Sequence, residues 1–220
     1  THAPDIEIVS IGFCAAPGEA VCINMPEGRS TQESYLEFIG PLLEDDTVEK
    51  RGQNIKYDCR VLSTYGVKVK NIGIDSMLAH YCLVSDQLPH NLDDMCMAHL
   101  GHIKVKTKSV LPRKSKKFPN PTMRDADSKV VALYCCEDVD YTFRLCAHFK
   151  DLLELPENKH AKELFYRFEM PLLPVLIDME CNGVKIDTNF LETLQIEIDK
   201  RIDTLENDME DVLGRRITAT

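Results

Sequence analysis

The chain has no run of about eighteen consecutive apolar residues, the length a helix needs to cross a bilayer, so no membrane span is expected. It also lacks any excess of positive charge. Its 26 Lys and Arg stand against 36 Asp and Glu, a formal net charge of −10 over 220 residues. That balance argues against a simple basic nucleic-acid binder. The opening, THAPDIEIV, is neither basic nor followed by the apolar stretch of a secretion signal. Without a secretory context, nine cysteines scattered through helix-like and strand-like patterns read as reduced cytosolic thiols acting as small hydrophobes. No internal repeat is visible. The length and apolar content suit a soluble chain with a sizeable core, as one large domain or a domain with an appendage.

The charge is unevenly spread. KVKTKSVLPRKSKKF (Lys104–Phe118) is strongly basic, whereas EDDTVE and LENDMED are acidic. The basic run reads either as a solvated loop or as an edge that contacts phosphates, and both can hold together.

Periodicity gives the elements. Ile6–Phe13 is dense in β-branched residues and predicts a strand, with Ala20–Met25 as its hairpin partner across APGE. Ser30 opens a helix in which Ser30 and Glu33 form a capping box. Arg51–Gln53 predicts a short strand, and Lys56–Tyr65 a helix stopped by Gly66. Val67–Ile74 alternates as a strand. Asp75 caps a helix over Ser76–Val84, and Asn91 starts another to about Leu100. Asp125–Leu153 reads as one long helix. Glu157–Cys181 is helical with kinks at Pro171 and Pro174. In the final helix, Thr188–Leu213, apolar residues from Leu191 to Val212 fall three and four apart on one stripe. The pattern implies an α/β body over residues 1–155 and a helical appendage over 156–220.

Two acidic stretches carry chemistry. In LYCCEDVDYTFRL, Tyr134 and Asp138 lie four apart and share a helix face. In GQNIKYDCRVL, Asp58 stands at a helix start. Two carboxylates from separate elements with a phenol nearby suit hard cations such as Mg²⁺ or Mn²⁺. The plainer readings are a helix cap for Asp58 and an amphipathic core residue for Tyr134. Cys96, His99 and His102 recur at intervals of three. On a helix that spacing rotates the third off the first's face, so no zinc site is expected.

GQNIKYD, GIDSMLAHYCL, LPHNLDDMCMAHLGH and YCCEDVDYTFRL, in this order, resemble the 3′–5′ exonuclease domain of bacterial DNA polymerase I, the family A (Klenow-type) enzymes. EMPLLPVLIDMECNGVKID resembles the opening helices of the family's polymerase domain, so the likeness covers nearly the whole chain. The resemblance implies a ribonuclease H-like (DEDD-type) α/β fold and two-metal hydrolysis of a 3′-terminal nucleotide. In such a reaction two ions about 4 Å apart activate water and stabilise the leaving oxygen. It implies that Asp58 and Asp138 bind the metals (Mg²⁺ or Mn²⁺) and that Tyr134 orients the water. Gln53, Asn54 and Lys56 would line the cleft for single-stranded DNA, holding sugar and phosphate without reading sequence. It implies as partners the 3′ end of single-stranded DNA and the remainder of a polymerase chain, in a bacterial cytoplasm close to the nucleoid.

The family's first motif, an Asp-x-Glu ending a central strand, has no counterpart. Asp5 and Glu7 spell D-I-E but precede an apolar strand, and alternation accounts for them as one strand face. The expected fold therefore lacks its first central strand, leaving backbone partners of the neighbouring strands unpaired. A chain with Asp58 and Asp138 alone is expected to be inactive or nearly so. Pro89 also stands where many relatives carry a basic residue. The rival expectation is a non-catalytic, DNA-holding scaffold for an attached polymerase. The apolar stripe of the last helix predicts self-association or fraying.

Overall fold

The computed structural model describes residues 6–84 and 89–215. Asp5, half of the D-I-E reading, lies outside them. The chain divides into two compact units, His2–Asn182 and Gly183–Thr220.

In the first unit β1 (Ser10–Ala16) and β2 (Glu19–Asn24) form the expected hairpin, pairing from Ser10↔Asn24 to Ala16↔Glu19. It starts later than periodicity implied, because Ile6–Val9 do not join the ladder: the Val9 carbonyl accepts from Met25 N–H at 3.0 Å, while the backbone of Ile6 and Ile8 is taken by the side chains of Tyr65, Gln32 and Arg124. Helix α1 (Arg29–Glu44) follows, but not on a capping box. Its cap is Gly28 with no side-chain bond, and Glu33 turns to Arg29, 3.1 Å away. β3 (Lys50–Gly52), α2 (Ile55–Ser63) and β4 (Ile72–Asp75) make a parallel crossover unit, Gly52 opposite Asp75. A parallel pair requires such a crossover. Of the predicted strand Val67–Ile74 only the end is strand. Helices α3 (Ser76–Leu83), α4 (Leu92–Leu100) and the short α5 (Thr107–Val110) come next.

The spine is α6 (Ser128–Leu153), entered through a 3₁₀ turn at Met123–Asp125 and capped by Asp127, which accepts from Lys129 N–H and Val130 N–H. Both hairpin strands and β3 pack along it. The approach at β1 is close: a Cβ on Gly12 would stand 2.7 Å from Val139 Cγ1 and 2.8 Å from Cys135 Sγ. Among the described residues the four strands form two separate two-stranded sheets on this one helix. An interrupted sheet was expected.

After α6 come a 3₁₀ turn (Pro156–Asn158), α7 (Lys159–Leu164), a π turn (Phe165–Glu169) and α8 (Met170–Asn182). Pro171 and Pro174 have no N–H to continue the α ladder, and the widened turn lies just before them. Phe165 from that turn is fully buried with Ile74, Ala79, Met95, Leu145, Phe149 and Leu153. A second cluster under α1 joins Met25, Leu36, Leu43, Leu62 and Val67, and Leu173 of α8 meets Ile55 and Cys59 of α2. All nine cysteines are free thiols.

The second unit is α9 (Thr188–Leu213), capped by Asp187, which accepts from Phe190 N–H, and closed by Gly214 at φ 64°. The apolar stripe Leu191, Leu194, Ile198, Ile202, Leu205, Met209 and Val212 is exposed. No described helix is long and apolar enough to cross a membrane.

Candidate active site

Asp58 lies in the first turn of α2, behind Asn54, whose backbone is left-handed (φ 52°). That start is held from β4. The wholly buried Asp75 accepts from Asn54 N–H (3.2 Å) and Ile55 N–H (2.7 Å), and also from Met77 N–H (2.8 Å) and Leu78 N–H (3.3 Å) at the head of α3. One carboxylate thus secures two helix starts, where unpaired N–H groups concentrate positive charge. Burial raises Asp75's own pKa, and these backbone donors oppose the rise. The crowding of protein around Asp58, and then the Asp75 charge, push the Asp58 carboxyl up to about 6. Asp58 still opens to solvent, so hydration offsets part of that crowding.

Tyr134 and Asp138 line one side of a cavity of about 200 Å³ with Val9, Ser10, Met123, Val131 and Cys135. They do share a face of α6, and that face is occupied. The segment leaving α4, beginning at Gly101 (φ 65°), runs along it as a strap. His102 Nε2 meets Glu137 at 2.8 Å, and the His102 ring stacks on Tyr141 with centroids 3.8 Å apart. Val105 N–H donates to Glu137 Oε2 (3.0 Å), and Thr107 Oγ1 hydrogen-bonds the Tyr134 hydroxyl (2.9 Å). Between these anchors the Lys104 ammonium is ion-paired with Asp138 and lies 3.7 Å from Asp93, 3.9 Å from Glu137 and 4.9 Å from the Tyr134 ring centroid. Burial presses Lys104 toward losing its proton, but Asp138, Tyr134 and Asp93 outweigh it, so it stays charged. Asp138 is pushed up by burial and drawn back by Lys104 and by the Tyr134 hydroxyl.

The structure therefore brings Tyr134 and Asp138 together. Asp58 is not among the residues lining that cavity, and the charge acting on it is Asp75. Among the described residues no group of three or more His, Cys, Asp or Glu is placed to hold a metal ion. With Asp138 already satisfied by an ammonium, the residues present do not fit a divalent pair. The DNA-facing candidates are partly engaged. Gln53 donates to the His90 carbonyl (3.1 Å) and accepts from Ser76 Oγ, Lys56 pairs with Glu180, and Asn54 is exposed.

Sequence reasoning missed Lys104, Thr107, His102 and Glu137. It placed Lys104 in a uniformly basic run, yet its side chain is 1% exposed, while Lys106, Lys108, Arg113, Lys114, Lys116 and Lys117 are solvent-facing. The one available signal is its separation from RKSKK by Val105, Val110 and Leu111.

The family model for 3′–5′ exonuclease matches residues 4–154. The chain is 28% identical to the DNA polymerase I of Pseudomonas aeruginosa, over 97% of this chain and 24% of that protein. It is 33% identical to that of Rhizobium leguminosarum (90% and 19%) and 32% identical to that of Borreliella burgdorferi (97% and 22%). It spans a quarter or less of the length of these relatives. Among solved structures, the POL domain of Pol1 from M. smegmatis, in complex with DNA primer-template and dNTP, superposes with a TM-score of 0.62 at 21% identity, covering 96% of this chain and 32% of that one. That likeness speaks for the fold. The chain belongs to the 3′–5′ exonuclease family, as its motifs implied.

Proposed function

We propose that residues 1–155 are the exonuclease module of a bacterial DNA polymerase I and residues 156–220 the first helices of its polymerase domain. The whole protein would remove a mispaired 3′-terminal nucleotide by metal-dependent hydrolysis during DNA synthesis and repair, in the cytoplasm near the nucleoid. In this reading Asp58 and Asp138 are the metal-facing acids, with Mg²⁺ or Mn²⁺ the ions. Tyr134 is the residue that orients water, and Asn54, Gln53 and Lys56 meet the single strand. The observation that carries it is Tyr134 and Asp138 side by side at one cavity on α6, inside the stretch the family model matches.

The same site favours low activity in this chain by itself, because Asp138 is held by Lys104 and no three-ligand group is present among the described residues. That pairing also supports the second reading, a DNA-holding scaffold that has set its chemistry aside. A labelled single strand with a free 3′ end, incubated with the chain and Mn²⁺, tests in two measurements the low activity that both readings expect of this chain and the path of the strand. Nucleotide release is expected to be absent or at trace level, and rapid release abolished by Asp138→Asn would overturn the low-activity reading. Strand binding, followed by anisotropy, is expected to weaken in Asn54→Ala and Lys56→Ala. Binding indifferent to both removes these residues from the DNA path.

A further inference from the structure

Lys104 is surrounded as a bound cation is surrounded. Three carboxylates face its ammonium: Asp138 in contact, Asp93 at 3.7 Å and Glu137 at 3.9 Å. The face of the Tyr134 ring stands 4.9 Å away, on the side where a ring's negative quadrupole attracts positive charge. The side chain is 1% exposed. Lysines are almost never buried to that degree unless paired. The backbone on both sides of it is laced to α6, through His102 and Val105 N–H on Glu137 and through Thr107 on Tyr134. The ammonium is thus delivered to the acids by a strap with its own anchors and is not a wandering surface lysine.

We propose that Lys104 is a built-in counter-cation, filling the cation position of the Asp138 site, so that a divalent ion binds there only in competition with it. The physical reason is charge and geometry together. Mg²⁺ requires oxygen donors at close and nearly octahedral spacing, and Asp138 presents its oxygen to Nζ instead. An ion entering beside Lys104 would meet a like charge at short range, where repulsion is strong. An ion replacing Lys104 must first unlace residues 102–107 from α6, leaving an ammonium without partners. The site is therefore cation-filled without a metal, and the strap sets how readily a metal enters. The inference rests on the exonuclease reading only in taking Asp138 as the metal-facing acid.

Mn²⁺ binding by the 220-residue chain, without DNA, is the test, read as loss of the free-ion electron paramagnetic resonance signal. The unaltered chain and Lys104→Arg, which keeps the charge, are expected to bind Mn²⁺ only weakly. Lys104→Met is expected to bind at least about tenfold more tightly, the scale on which neighbours of a metal site act, and the gain should vanish in Lys104→Met/Asp138→Asn. Equal binding by the unaltered chain and Lys104→Met overturns the proposal, as does a gain that survives Asp138→Asn. Should Lys104→Met fail to fold, nitrogen-15 lysine spectra of the unaltered chain decide. A protected Lys104 ammonium signal that Mg²⁺ displaces only at millimolar concentration or above supports the proposal; an unprotected signal without Mg²⁺, or Mg²⁺ binding at Asp138 that leaves the signal unchanged, overturns it. No outcome depends on nucleotide release, so failure of the exonuclease reading and failure of this one are told apart.

Discussion

Replacing Asp75 by alanine removes the acceptor for four backbone N–H groups at 2.7–3.3 Å, two heading α2 and two heading α3. Loss of an N-cap costs about 1 kcal/mol per helix, so two caps amount to roughly 2 kcal/mol. Donors left unpaired away from water cost about 1–3 kcal/mol each, and Ile55 N–H is in a buried bond. Against this, alanine no longer has to bury a charge, a relief visible in the raised pKa of Asp75. The expected net loss is about 3 kcal/mol, read as a lower urea midpoint at unchanged slope. Asp75→Asn keeps one carbonyl oxygen but turns a donor toward one of the N–H groups, so it should fall between. Amide exchange should quicken first at Asn54, Ile55, Met77 and Leu78. Crowding by protein is the larger cause of the raised Asp58 pKa and the Asp75 charge the second, so both variants should also lower the Asp58 carboxyl part of the way toward its ordinary value when titrated by NMR. A midpoint for Asp75→Ala within about 0.5 kcal/mol of the parent, the range of an inconsequential surface change, would refute the double-cap reasoning.

Asp58 at about 6 has its unfolded reference at 3.8, so the native state holds the extra proton between those values and stability from this group declines as pH rises through that window. Asp58→Asn should flatten that decline in urea midpoints taken from pH 4 to 7, and an unchanged profile would remove Asp58 as its source. Gly12→Ala should cost about 1–3 kcal/mol by overpacking β1 on Val139 and Cys135, measured by thermal unfolding, with no effect expected at solvent-facing Gly28 beyond its positive φ. Glu137→Gln should loosen the strap, seen as faster exchange of Val105 N–H with α6 itself still protected.

Elements set by local signals were legible in the sequence. The Asp75, Asn91 and Asp187 caps each stand one residue before the helix they start, and Asp75 and Asn91 were read as such. The misreadings came where a side chain had a distant alternative. Ser30 and Glu33 have the spacing of a capping box, but Arg29 beside them takes the glutamate. Tyr65 and Gln32, unremarkable in sequence, close a buried network in which the Gln32 amide bonds the backbone of Ile8 and Pro26 and the Tyr65 hydroxyl. Tyr134 and Asp138 were legible because helical periodicity alone puts them on one face. Lys104 was not, because its contacting partner Asp138 lies on α6, far from it in sequence, and composition made it look like its solvated neighbours.

The acids of YCCEDVDYTFRL show why family likeness and local chemistry must be weighed together. Glu137 fastens the strap through His102 and Val105, Asp138 takes Lys104, and Asp140 accepts from Gly18 N–H at 2.7 Å in the hairpin turn while pairing with Arg144. Within one turn of α6, three carboxylates tie down two other parts of the chain, the strap and the hairpin turn. Carboxylates shielded from water are costly unless bonded, so each of these contacts relieves a penalty that the acidic helix face would otherwise carry. Two of them, Glu137 and Asp138, are held by the same short strap. A cation arriving at Asp138 therefore contends with the strap as a unit: freeing Lys104 strains the neighbouring bonds to Glu137 and Tyr134, and keeping them holds Lys104 in place. Metal access at this face is a question of strap mobility as much as of ligand identity.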